Sequence, residues 1–168
     1  MFEILKAFIA EVTGPAAPER EFLDDDYRLA TAALLVHAAS ADGLIAPSER
    51  VRLRAIIETQ FGLDESATSR LIALAEQSDK EAVDFFHFTN VLKRALDDRA
   101  RHRIIEMMWD IVFADGVVTE FEENVVWRVA ELLGVSTRDR VLLRQKAAGT
   151  ARPAEPGPGP WGAINSKE

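Results

Sequence analysis

Residues 34–49 read Leu34-Leu35-Val36-His37-Ala38-Ala39-Ser40-Ala41-Asp42-Gly43-Leu44-Ile45-Ala46-Pro47-Ser48-Glu49, and residues 107–122 read Met107-Met108-Trp109-Asp110-Ile111-Val112-Phe113-Ala114-Asp115-Gly116-Val117-Val118-Thr119-Glu120-Phe121-Glu122. Both contain A-D-G-x-[IV]-x-x-x-E, with Asp115 following Asp42 by 73 residues. Each copy follows an apolar run and precedes an apolar helical pattern that ends near a glycine, Gly62 or Gly134. Coincidence is a poor account of two such copies in one chain. A helix–turn–helix unit used twice predicts pseudo-twofold packing of the two units.

Outward from the motifs the chain reads as helix throughout. One helix is expected from Glu19 or Asp26 to Ala41, where small residues permit close approach of neighbours. Pro47 suits the first position of a second helix, which ends at Gly62. Asp64, the Ser78/Glu81 pair, Asp97, the Thr119/Glu122 pair and Ser136 are candidate starts for five more. Sustained strand alternation is absent, so the expected class is all-α, a single bundle of about seven helices over residues 19–149. The expected core includes Leu34, Leu35, Ile45, Ile56, Ile57, Phe85, Leu92, Ile105, Met108, Val112, Val118, Val126, Val129 and Leu133. Phe86, Phe88, Met107 and Trp109 read as core too, and His87 as packed among the aromatics.

Two flanking segments differ. Phe2, Leu5, Phe8, Ile9 and Val12 share one helical face, so residues 1–18 read as an amphipathic helix and a linker broken by Pro15 and Pro18. That face can dock on the domain, meet a partner or touch a membrane surface. Residues 150–168 are rich in Pro and Gly and read as a disordered tail. Trp161 within it is either incidental or a docking anchor.

Composition narrows the functional classes. The 168 residues carry a formal net charge of −8, which disfavours a phosphate backbone as partner and tolerates cations or a basic protein. No cysteine is present, so disulfides, thiolate metal sites and a cysteine nucleophile are excluded. No run approaches a membrane span, and residues 1–13, interrupted by Glu3 and Glu11, do not read as a signal peptide. The expected location is the cytoplasm. No glycine-rich phosphate loop, G-x-S-x-G or H-E-x-x-H occurs, so an enzyme is not expected.

Capping alone explains much of the repeated motif. Gly43 and Gly116 can adopt the left-handed conformation that ends a helix. Glu49 and Glu122, third in their helices, can reach back to the preceding backbone and favour the positive helix end. The functional alternative is a cation site. D-G-x-I-x-x-x-E is also the second half of an EF-hand loop, but the first and third ligand places fall on Ala38 and Ser40, and on Ile111 and Phe113. A complete EF-hand is therefore excluded. Asp42, Glu49, Asp115 and Glu122 could form one shared site if the copies face each other, joined by His37 and Asp110, which hold equivalent places. Oxygen donors favour calcium or magnesium.

The order helix, A-D-G-L-I-x-x-x-E, helix, then D-F-F-H-F-T-N-V-L-K-R-A-L-D, then I-I-E-M-M-W-D-I-V-F-A-D-G-V-V-T-E-F-E-E resembles the TerB-like family of tellurite-resistance proteins, over roughly Asp25 to Gly149. The resemblance implies an all-helical bundle with internal pseudo-symmetry, an acidic surface able to bind metal, and a role in stress-response assemblies. The matched positions are Asp42, Glu49, Asp115, Glu122 and Glu123. Arg50 stands where the first copy would carry the counterpart of Glu123, so the first copy is expected to be the weaker cation site. The function expected is a non-catalytic interaction module with an unidentified protein partner. The alternative is a metal-dependent enzyme using the paired acidic motifs.

Overall fold

A computed structural model describes residues 22–151, with side chains through Gly149. The chain forms α1 (Tyr27–Ala39), α2 (Pro47–Phe61), α3 (Glu65–Glu81), α4 (Phe86–Ala95), α5 (Asp98–Val112), α6 (Glu120–Leu132) and α7 (Thr137–Ala151), with no strand among the described residues. The readings of residues 1–18 and 152–168 lie outside the described residues. The domain boundary expected at Gly149 is exceeded slightly, because α7 continues to Ala151.

Local chemistry explains where the helices start. Asp26 Oδ1 accepts the Arg28 N–H at 2.8 Å, Asp64 Oδ1 that of Ala67 at 2.7 Å, and Asp97 Oδ1 that of Ala100 at 2.9 Å. Each bond satisfies an amide that the helix itself leaves without an acceptor. Ser136 Oγ does the same for Asp139 N–H at 3.2 Å. Gly62, at φ 60°, closes α2 in the left-handed conformation.

The Ser78/Glu81 spacing does not start a helix. Both residues lie in the last turn of α3, and Ser78 O accepts the N–H of Ala82 as that helix ends. The break comes later, where Asp84 Oδ1 accepts the Phe86 N–H at 2.9 Å. The S-x-x-E spacing makes a cap only when the serine leaves helical geometry, and the helix here runs through it.

α1 is the centre of the bundle. Leu29, Ala30, Ala32 to Val36, Ala38 and Ala39 are all buried, and α2, α3, α4, α5 and α6 pack around the helix. Its alanines let neighbouring backbones come close, while burial of Leu34 and Leu35 contributes about 1.5–3 kcal/mol each. Ile104, Ile105, Met107, Met108, Trp109 and Ile111 of α5 complete the core with Leu53, Ile57, Leu71, Leu92, Val126 and Val129. Ile45, Phe85 and Val118, expected in the core, are partly buried against it. Phe86 and His87 are exposed. The inward face of α4 carries Phe88, Thr89 and Leu92 at helical spacing, which turns the two preceding residues outward.

Candidate functional site

The two A-D-G turns are built alike. After α1, Gly43 N–H donates to Ser40 O at 2.8 Å and Asp42 Oδ1 accepts the Leu44 N–H at 3.3 Å. After α5, Gly116 N–H donates to Phe113 O at 3.0 Å and Asp115 Oδ1 accepts the Val117 N–H at 2.9 Å. Gly43 and Gly116 take φ of 99° and 78°, a region that a Cβ disfavours. The next residue points outward, Leu44 being 82% and Val117 65% exposed, while Ile45 and Val118 turn back onto the core.

The glutamates then reach back to the start of their helices. Glu49 Oε2 accepts the Ala46 N–H at 2.9 Å, and Glu122 Oε2 accepts the Thr119 N–H at 2.9 Å. The second turn has more. Thr119 Oγ1 donates to Glu122 Oε2 at 3.0 Å and accepts the Glu122 N–H at 3.2 Å, a reciprocal cap that Ala46, lacking a hydroxyl, cannot make.

The two turns meet through these glutamates. Both side chains are buried at 2% exposure, and the carboxyl of Glu122 lies close enough to that of Glu49 to act on its protonation. Burial raises the Glu49 carboxyl to about 7, reinforced by hydrogen bonding with Glu122 and by the charges of Glu122 and Asp115, against the opposing pull of the Ala46 N–H. Glu49 Oε1 is buried with no donor reaching it when both carboxyls are ionised. Glu49 is thus the carboxyl disposed to keep a proton toward neutrality, while Glu122 Oε2 accepts two donors from Thr119.

The remaining candidates go elsewhere. Asp42 and Asp115 are exposed at the tips of their turns. His37 Nδ1 lies 2.7 Å from Asp79 Oδ1 on α3, and its ring is tilted by 51° against that of Phe85 with centroids 5.1 Å apart. Asp110 faces Arg52 of α2 at 3.5 Å. Glu123 accepts the Trp127 indole N–H at 3.2 Å and pairs with Arg144 of α7 at 3.0 Å. Its counterpart Arg50 pairs with Glu76 of α3 at 3.0 Å. Asp79, Arg52, Glu76 and Arg144 carried no signal in the sequence, since each pairing joins two different helices and depends on how they pack.

Among the described residues, no group of three or more His, Asp or Glu side chains is arranged to hold a metal. None of the described helices is long and apolar enough to cross a membrane. An open groove of about 730 Å³ lies between the start of α2, the end of α5 and α7. It is lined by Pro47, Val51, Ala55, Phe113 and Ala147 with Asp110 at its edge, and none of the motif carboxylates borders it. A family model described as tellurite resistance protein TerB matches residues 28–145, which include both turns. No curated protein and no solved structure matches the chain.

Proposed function

The chain belongs to the tellurite resistance protein TerB family, and from that premise we propose that it is a non-catalytic interaction module in a cytoplasmic stress response of the tellurite-resistance kind. Its contacting surface is the end that carries the two acidic turns. The observation behind this reading is the pair of exposed apolar residues at one motif place, Leu44 and Val117, beside the exposed carboxylates Asp42 and Asp115. Phe121, 67% exposed one residue into α6, extends the apolar surface of the second turn. An apolar contact rimmed by carboxylates suits a protein partner with basic and apolar side chains. A metal-dependent enzyme would need a cavity gathering several motif carboxylates. The large groove has only Asp110 among the candidates, which favours the module.

Affinity capture from the native host tests the reading. A partner retained by the wild-type chain should be lost with a Leu44→Arg, Val117→Arg chain that melts at the wild-type temperature. An unchanged set of retained proteins would sink the proposal.

One observation favours a second reading, a hard-cation site for calcium or magnesium at the same turns. Glu49 Oε1 is buried without a donor, so a cation could take the place of the proton. Two buried carboxylates supply few ligands, so the turns would have to open enough to bring in Asp42 and Asp115. Thermal melts at pH 8 with millimolar calcium or magnesium test it. A stabilisation abolished by Asp115→Asn with Glu122→Gln supports the site, and an unshifted wild-type melt removes it.

A further inference from the structure

The groove between α2, α5 and α7 touches the two motifs through Pro47, Ser48 and Ala114 but holds none of Asp42, Glu49, Asp115 and Glu122, and the path of α7 points to what covers it. α7 runs in the same direction as α5. His102 Nε2 meets Asp139 Oδ2 at 3.1 Å, Glu106 meets Lys146 at 2.9 Å, and Ala147 then lines the groove with Phe113 at the end of α5. The helix thus delivers the chain to the rim of the groove, and Ala151 lies one turn beyond Ala147. Val51, 70% exposed on the facing helix, gives the groove an apolar wall open to solvent.

From Ala151 the chain continues as ARPAEPGPGPWGAINSKE, with prolines at 153, 156, 158 and 160 and one aromatic residue, Trp161. Prolines favour extended backbone, so less conformational freedom is lost when such a segment is laid down on a surface. At about 3 Å per residue, the ten residues from Ala151 to Trp161 span up to roughly 30 Å, ample to turn back onto a groove whose near wall is Ala147. The chemistry matches. An indole offers a flat apolar face to Val51 and Phe113 and a single N–H, and Asp110 stands at the groove's edge as an acceptor. The segment from Arg152 to Trp161 carries one positive and one negative charge, Arg152 and Glu155, so no charge repulsion opposes its return. A short tether also gives an effective concentration of about millimolar, which populates a contact too weak to hold a separate peptide.

We propose that Trp161 docks in this groove in cis. A partner reaching for the groove must displace it.

Fluorine NMR of the full chain labelled with 5-fluorotryptophan tests this. Three resonances are expected, for Trp109, Trp127 and Trp161, and Trp161→Phe assigns the third. Docking predicts a Trp161 resonance displaced from its position in denaturant, moving toward that position in Val51→Arg and, independently, in Ser48→Arg. Both positions are exposed, so the variants should fold, which the unchanged Trp109 signal verifies. A Trp161 resonance already at its denatured position in the native chain overturns the proposal. So does one that neither variant moves. A displacement that vanishes on dilution overturns it in favour of docking between copies.

Discussion

The first and second acidic turns share a backbone trace and differ in one atom that matters. Thr119 has a hydroxyl where Ala46 has none, although both residues hold the extended conformation of a helix cap, with φ/ψ of −82°/156° and −62°/148°. Glu122 therefore sits in a complete cap and Glu49 in half of one. Where the two carboxyls meet, the less-supported one keeps the proton. A repeated motif can thus place two identical side chains face to face and still give them different chemistry, through a neighbour outside the shared residues.

The largest expected effect comes from that proton. Glu49 has an ordinary value of 4.5 raised to about 7. Between these values the folded state keeps a proton that the unfolded chain releases, so stability falls as pH rises through this window and stays lower above it. The loss is on the order of 3 kcal/mol. His102, raised chiefly by the Asp98 carbonyl and then by Asp139, adds a fall of its own as pH rises through its folded value. Glu49→Gln isolates the first contribution, because its amide can donate to Glu122 while its oxygen still accepts from Ala46. Urea unfolding from pH 5 to pH 8 should show the variant losing less stability than wild type and overtaking it at pH 8. Parallel curves would mean that the pair shares no proton.

Exchanging the caps comes next. Thr119→Ala should cost about 1–2 kcal/mol, and Ala46→Thr should gain up to about 1 kcal/mol. The added hydroxyl would also stabilise the Glu49 carboxylate, so Ala46→Thr should flatten the pH dependence. A threonine at position 46 that leaves the pH curve untouched would show that the hydroxyl is not the source of the asymmetry.

Effects of comparable size should be nearly equal in the two turns. A Cβ added at Gly43 or Gly116 would meet no atom within 4 Å, so only backbone strain opposes it. Gly43→Ala and Gly116→Ala should each cost about 1–2 kcal/mol in thermal melts. Gly43, at the larger φ, should be the costlier. A much larger loss at Gly116 would reveal a packing role for the second turn. The smallest effect is Arg50→Ala, below about 0.5 kcal/mol in the same melts, since Arg50 is exposed and its partner Glu76 only half-buried.

The helix starts were legible because Asp26, Asp64, Asp97, Thr119 and Ser136 act within three residues of themselves. Ser78 misled for the same reason, since a local spacing does not reveal whether the helix has already begun. Phe86 and His87 were read by residue type, whereas their exposure is set by the rotational phase of α4, which Leu92 fixes. At the site, the backward reach of Glu49 and Glu122 to the start of their own helices was readable from their spacing. The burial of Glu49 and Glu122 was not, because carboxylates rarely go inside unless something holds them. His37 and Asp110 occupy equivalent places in the repeat, yet Asp79 on α3 and Arg52 on α2 engage them, partners that only the packed bundle supplies.

The position of α1 bears on whether either half of the chain can fold alone. Helices from both halves of the chain close around its alanine-rich surface, so neither half encloses a finished interior. Cutting the chain between α3 and α4 should yield two fragments that remain unstructured apart and acquire helical circular dichroism only when mixed.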